Sequence, residues 1–261
     1  MSRLAPAVAV DYELTAVAVS KSFDGIQALT DVSLSLRPGE VHGLIGPNGS
    51  GKTTLLNLLS GYYRPSGGAI LYRNESLETA TVQRRADIGI ARTFQKPRLL
   101  GSLSVLDNAM LGAWGDTESG FLATALALPS ARREEHKMRE RASELLHAIG
   151  LGRVIDHQAK LLEHAEKRFL EIARGLAARP TFMLLDEPAG GLTENEIELL
   201  GKVITTLKNS GIGVLLVEHH TDFVFRISDR VTTLDLGKMI KYGTPEEVRR
   251  DAEVIRVYLG A

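Results

Sequence analysis

Residues 46 to 53 read Gly46-Pro47-Asn48-Gly49-Ser50-Gly51-Lys52-Thr53, and Thr54 follows. The stretch comes after the apolar run Val41-His42-Gly43-Leu44-Ile45 and before Leu55-Leu56-Asn57-Leu58-Leu59, so it lies between a buried strand and a helix. A Gly-x-x-x-x-Gly-Lys-Thr match gains its meaning from that context. Its glycines let successive backbone N–H groups, from Asn48 through Thr54, turn toward one centre. The helix behind them adds the positive end of its dipole. Lys52 then reaches outer phosphates, and the Thr53 hydroxyl is suited to ligate Mg²⁺. The stretch implies a bound nucleoside triphosphate.

Working outward, a chain of 261 residues allows one large α/β domain, or a domain with a subdomain inserted in it. The net charge of −1 gives nucleic acid no positive field to follow, so no nucleic-acid partner is expected. With no cysteine, disulfides and thiolate metal sites are excluded, which fits a cytoplasmic setting. The longer apolar stretches, such as Phe121 to Leu128, fall short of the ~20 residues that span a bilayer. Met1-Ser2-Arg3-Leu4-Ala5-Pro6 is a poor signal peptide. A soluble chain is expected, with any membrane role exerted through a partner.

The segments Leu14 to Ser20, Gln27 to Leu36 and Ala69 to Tyr72 are strand-like and are punctuated by Asp24-Gly25, Pro38-Gly39 and Ser66-Gly67-Gly68. From Ser104 to Leu162 the spacing is helical, first in Val105 to Leu111 and then in the charged Ala131 to Ile149 segment. Continuous apolar runs return at Phe182 to Leu185, Gly213 to Val217 and Val231 to Leu234, with a helix over Glu194 to Leu207 between the first two. Such runs predict parallel strands covered on both faces. The expected architecture is α/β: a parallel core sheet, an N-terminal antiparallel β subdomain and an inserted helical subdomain. Residues 1–103 and 163–261 would form the core and 104–162 the insertion.

The strand over Phe182 to Leu185 runs into Asp186-Glu187-Pro188. Taken alone, such a string simply ends a strand at a turn. Beside a phosphate loop, however, Asp186 is placed to hold Mg²⁺ and Glu187 to polarise an attacking water.

Four motifs now stand in order: the Gly46 loop, Thr93-Phe94-Gln95, Leu185-Asp186-Glu187-Pro188 and Val217-Glu218-His219. Together they resemble the nucleotide-binding subunit of an ABC transporter, a P-loop NTPase, over nearly the whole chain from Leu14 to Gly260. Ile90-Ala91-Arg92-Thr93-Phe94-Gln95-Lys96-Pro97-Arg98-Leu99, Leu170-Glu171-Ile172-Ala173-Arg174 and the ending Tyr258-Leu259-Gly260 are similar to the branched-chain amino acid importer group. The ATPase of lipopolysaccharide export is a neighbour with a similar core. The resemblance implies that Phe23 stacks on adenine and that Gln95 touches Mg²⁺ or the attacking water. It also implies that His219 hydrogen-bonds the γ-phosphate, although His220 replaces an acidic residue common in the family. The implied cofactors are ATP and Mg²⁺. The implied partners are integral-membrane permease subunits, a second nucleotide-binding subunit and, indirectly, a solute-binding protein, with the chain peripheral on the inner face of the cell membrane.

One motif departs from the family's pattern. The Leu-Ser-x-Gly-x signature should precede Glu171-Ile172-Ala173-Arg174, and the chain has Leu162-Glu163-His164-Ala165-Glu166 there. Glu163 stands in place of the serine and Ala165 in place of the glycine that would bind the γ-phosphate of an opposite subunit. A carboxylate ~4 Å from a phosphate charge costs about 4 kcal/mol at an effective dielectric near 20. Half of that weakens closure roughly 30-fold. The alternative is that Glu163 points away and caps its own helix. Thr193 likewise replaces the family's usual Asp or Asn. The expected function is an ATPase that energises an importer for branched-chain amino acids or a related small solute. The altered signature keeps open a nucleotide-regulated subunit with little turnover of its own.

Overall fold

The computed structural model describes residues 13–113 and 129–259. Met1 to Pro6 and Phe121 to Leu128 lie outside the described residues. Strands β1 (Leu14–Phe23), β2 (Ile26–Leu36), β4 (Gly67–Tyr72) and β5 (Glu75–Ser76) form an antiparallel sheet in the order β2-β1-β4-β5. A second sheet is built from β3 (Val41–Ile45), β6 (Ile90–Arg92), β7 (Phe182–Asp186), β8 (Gly213–Val217), β9 (Arg230–Asp235) and β10 (Lys238–Gly243). Its order is β10-β9-β3-β8-β7-β6, parallel throughout except for β10.

The side-chain alternation of a strand sorts this second sheet into two cores. Leu44, Phe182, Leu184, Leu215 and Val217 face the antiparallel sheet and helix α1 (Lys52–Leu59), among them Leu14, Leu36, Leu55 and Leu59. Val41, Ile45, Met183, Leu185, Val214 and Leu216 face the opposite way. There they meet helices α5 (His164–Ala177) and α6 (Glu194–Asn209) and the helix carrying Phe223 and Val224, α7 (Thr221–Ile227). Every residue of β3, β7 and β8 is buried, which is why these strands read as unbroken apolar runs.

Earlier in the chain lie α2 (Val82–Asp87), α3 (Val105–Ala113) and α4 (Pro129–Ala148), and at its end α8 (Pro245–Arg249) and α9 (Ala252–Leu259). Helices α3 and α4 pack on each other and on α5. The strand expectations hold to within a few residues at each end. The three-residue β6 had no strand signal of its own and is held by pairing Ile90–Arg92 alongside Phe182–Leu184.

Helix α1 ends against a buried cation. Arg85 of α2 is 1% exposed and donates through Nη1 to Leu58 O at 2.7 Å and Leu59 O at 2.8 Å. Its Nη2 donates to Leu77 O at 2.8 Å. Burial pushes its pKa down to about 10, still well above neutrality, so the group stays charged. It thus satisfies the carbonyl end of the helix that begins at the phosphate loop, where a cation also meets the negative end of the dipole. Arg85→Met strands Leu59 O and leaves Leu58 O and Leu77 O with one backbone donor each, from Gly61 N–H and Ala80 N–H. A loss of about 2 kcal/mol is expected from the stranded acceptor and the lost bonds, read as a fall of roughly 4–8 °C in Tm. An unchanged Tm would mean that α1 needs no such cap.

Candidate nucleotide site

In open parallel sheets, ligands bind beyond the carboxyl ends of the strands. Here the loops leaving four neighbouring strands carry the four motifs. Gly46 follows β3, Glu218 and His219 follow β8, Asp186 and Glu187 close β7, and Thr93 to Gln95 follow β6. The strand order β3-β8-β7-β6 sets these loops side by side.

The phosphate loop is shaped by close approach. A Cβ on Gly46 would lie 2.2 Å from Leu234 O, and one on Gly51 would lie 2.6 Å from Leu29 Cδ2 with φ at 104°. Only glycine meets both demands. Gly51 is the N-cap of α1, and no acidic residue occupies the first turn of that helix. Its free N–H groups and dipole therefore favour an anion. Gly237 N–H donates to Ser50 O at 3.1 Å and Thr30 N–H donates to Gly237 O at 2.8 Å, bracing the loop from the β9–β10 turn.

Lys52 Nζ donates to Gly46 O at 2.7 Å and Pro47 O at 2.9 Å. Burial lowers its pKa, while the carboxylates of Glu187 and Asp186 act to raise it. The Ser50 hydroxyl is buried with no protein partner among the described residues. An orphaned hydroxyl, a bare helix N-terminus, a lysine and two carboxylates fit a phosphate chain with a divalent ion. Lys52, Ser50 and the amides of Asn48, Gly49, Thr53 and Thr54 would face the phosphates, and Thr53 with Asp186 would face the ion.

Gln95 Nε2 donates to Glu187 Oε2 at 2.7 Å, so the third motif reaches the second. Glu187 sits at φ 47°, in the left-handed region that non-glycine residues seldom adopt. Its N–H donates to Val217 O at 2.9 Å, and Gly190 N–H donates to its carbonyl at 3.3 Å, which fixes that backbone. The His219 side chain is 49% exposed, with Nδ1 3.7 Å from Glu218 Oε2 and its ring stacked 4.5 Å from that of His220. Glu218 itself is fully buried, and its carboxylate accepts from Ala189 N–H at 2.6 Å and His219 N–H at 3.1 Å. It ties the β8 end to the turn after Glu187, a role that the sequence reading did not single out. Phe23, at the end of β1, is packed edge-on against Tyr63 at 5.1 Å, with Lys21 Nζ 4.9 Å from its ring centre. Tyr63, too, went unremarked in the sequence.

Glu163 is the N-cap of α5, and with Glu166 it forms a capping box in which Glu163 N–H donates to Glu166 Oε2 at 3.0 Å. Of the two geometries left open by the sequence, the capping box fits the one in which Glu163 pairs with its own helix, without a close side-chain cap bond. Ala165 is buried. His164 Nε2 donates to Gly190 O at 2.9 Å, linking this helix end to the turn after Glu187.

A residue absent from the candidate set stands at the centre of the site. Arg92 Nη2 donates to Asp186 Oδ2 at 3.0 Å, and Nη1 donates to Asn57 Oδ1 at 2.6 Å and Ser60 Oγ at 2.9 Å. Its guanidinium lies 5.4 Å from the Tyr62 ring and 5.2 Å from the Phe94 ring. Burial raises the Asp186 pKa, and the Arg92 hydrogen bond and charge oppose that rise. Since both side chains are nearly buried, at 8% and 5% exposure, removing one partner strands the other. Arg92→Met should cost about 3 kcal/mol in urea unfolding. Adding Asp186→Asn to it should recover part of that loss, with a coupling of roughly 1–3 kcal/mol. Strictly additive effects would contradict the pairing.

Residues 29–190 match the ABC transporter family, and residues 242–261 match the branched-chain amino acid ATP-binding cassette transporter family. The chain is 40% identical to the high-affinity branched-chain amino acid transport ATP-binding protein LivG of Escherichia coli, over 91% of this chain and 94% of that protein. It is 34% identical to the lipopolysaccharide export system ATP-binding protein LptB of Haemophilus influenzae, over 95% of this chain and 97% of that one. A nucleotide-free ATP-binding cassette from an ABC transporter superposes with a TM-score of 0.83 at 29% identity, covering 97% of this chain and all of that one. The chain belongs to the ABC transporter family of ATP-binding cassettes.

Proposed function

We propose that this chain is the ATP-binding and ATP-hydrolysing subunit of a membrane importer for branched-chain amino acids or a related small solute. The observation that carries the reading is the Gln95–Glu187 hydrogen bond of 2.7 Å beside a lysine that feels both Glu187 and Asp186. The similarity to branched-chain amino acid transport proteins supports the solute class. In this reading Phe23 stacks on adenine, while Lys52 and the loop amides bind the phosphates. Thr53, Asp186 and Gln95 attend Mg²⁺, which when bound supplies charge neutralisation along the phosphate chain. Glu187 takes the proton of the attacking water, and His219 holds the γ-phosphate.

The helices of 104–162 are read as an inserted subdomain, and Lys96 to Ala109 as the dock for a permease at the inner face of the membrane. Leu100 there is 51% exposed and Leu161 69%, and the two segments meet where Lys160 N–H donates to Gly101 O at 3.1 Å. Among the described residues no helix is long and apolar enough to cross a membrane, which supports a peripheral subunit.

The replacement of the signature serine and glycine by Glu163 and Ala165 supports a heterodimer, and the capping box, which pairs Glu163 with its own helix, opposes it. In that reading this chain's own ATP is completed by a second subunit with an ordinary signature. Its partner's ATP meets Glu163 and turns over poorly. The altered signature also favours a second reading, a nucleotide-regulated subunit with little turnover of its own, which the intact Glu187 and His219 oppose.

Three outcomes separate these readings. Glu187→Gln should lower phosphate release by the assembled transporter at least 100-fold while ATP binding stays within threefold. Turnover unaffected by that change would refute the hydrolytic role. In the same assembly, disabling the partner's Glu187 equivalent should cost far less than disabling Glu187 itself, and Glu163→Ser should raise the weaker site's turnover. Equal, full activity at both sites would defeat the asymmetry.

A further inference from the structure

The Gln95 loop is gripped by helix α5 at both of its ends. Glu171, 2% exposed, accepts through one oxygen, Oε1, from Phe94 N–H at 3.2 Å and from Arg98 N–H at 3.4 Å. Arg168 Nη1 donates to Phe94 O at 3.0 Å, and Arg174 Nη1 donates to Arg98 O. Arg174 Nη2 also lies 3.9 Å from Glu171 Oε1. Residues 168, 171 and 174 are three apart along α5 and so form one row on its surface. Phe94 and Arg98 thus have both main-chain polar groups held by that row, and Gln95, Lys96 and Pro97 arch between them.

The arch faces the reacting end of the site, because Gln95 donates to Glu187. The helix that holds the arch begins at Glu163, eight residues before Glu171, or about 12 Å along the axis at 1.5 Å per residue. That N-terminus is tied by His164 to Gly190, three residues past Glu187. A shift of Gln95 large enough to carry Phe94 or Arg98 with it loads these bonds. Breaking their bonds would strand a buried carboxylate and two backbone amides, each costing about 1–3 kcal/mol. A loop that moves with these bonds intact takes the helix with it.

We propose that Glu171, flanked by Arg168 and Arg174, is a positioning residue that couples nucleotide occupancy at the phosphate loop to the N-terminus of α5. This inference rests on the nucleotide-site reading and deepens it. It names the side chains through which what this chain binds alters what it presents at Glu163, His164 and Ala165. The coupling element is a single oxygen that accepts two backbone N–H groups. A glutamine oxygen can fill the same place, and an alanine cannot.

Amide hydrogen exchange on the isolated full-length chain, with and without a non-hydrolysable Mg²⁺-ATP analogue, tests the coupling without relying on turnover. In the wild type the analogue should change exchange both at residues 94–98 and at residues 164–176. In Glu171→Ala, with analogue affinity within threefold, the change at 94–98 should remain and that at 164–176 should fall at least fivefold. Glu171→Gln should retain most of the response, which a role of the charge alone would not allow. Should Glu171→Ala fail to fold, Arg168→Gln carries the test and should weaken the same response at least twofold. A response at 164–176 that survives Glu171→Ala, or Arg168→Gln in its place, overturns the proposal, as does equal loss in Glu171→Ala and Glu171→Gln. A wild-type chain with no affinity for the analogue would refute the nucleotide-site reading first, and the coupling with it.

Discussion

A parallel sheet buried on both faces must end all its strands at one edge, and everything at the candidate site follows from that. The strands β3, β8, β7 and β6 lie next to one another because their alternating side chains fill two cores at once. Their main chains leave the sheet on the same side, so loops far apart in sequence converge there, and bonds such as Gln95–Glu187 and Glu218–Ala189 then lock them together. Gly46 pressed against Leu234 O shows how tightly the edge is drawn, since a single methyl group there would collide with a neighbouring strand.

The edge gathers like charges, and the fold answers with buried cations. Asp186 is held by Arg92, and Lys52 lies within reach of both Asp186 and Glu187. Arg92 also spans to Asn57 and Ser60 at the far end of the phosphate-loop helix. One guanidinium therefore fixes the helix, the carboxylate and, through ring contact with Phe94, the start of the Gln95 loop. Arg85 closes the same helix from below. Low dielectric makes such pairs costly to break rather than strongly stabilising to form, which suits a site whose geometry must persist through a catalytic cycle.

Much of this was readable in advance because the physics was local. The glycines, Lys52 and Thr53 occupy a spacing that only one turn satisfies, and the apolar runs before Gly46 and Asp186 announce buried parallel strands. Arg92 and Glu171 stand in the importer-like runs with no role attached, and Arg85 carries no signal at all, for a common reason. Most of their partners are backbone groups or side chains dozens of residues away, and nothing in a row of letters marks a main-chain carbonyl as needing a donor. Strand β6 escaped because three residues are too few to establish a period, and its strand character comes from lying beside β7. Glu163 illustrates a different limit. Its identity was plain, but the direction of its side chain depends on Glu166 and the first turn of α5, which only coordinates supply.

If the loops at the sheet edge form one phosphate-binding site, its affinity must depend on Lys52 far more than the fold does. Calorimetric titration of the purified chain with Mg²⁺-ATP, beside Lys52→Ala at matched Tm, measures that dependence directly. A loss of at least 100-fold in affinity, about 2.7 kcal/mol, with the fold intact is the expected result. Equal affinity in the two proteins would mean that the convergence of these loops serves something other than a nucleotide.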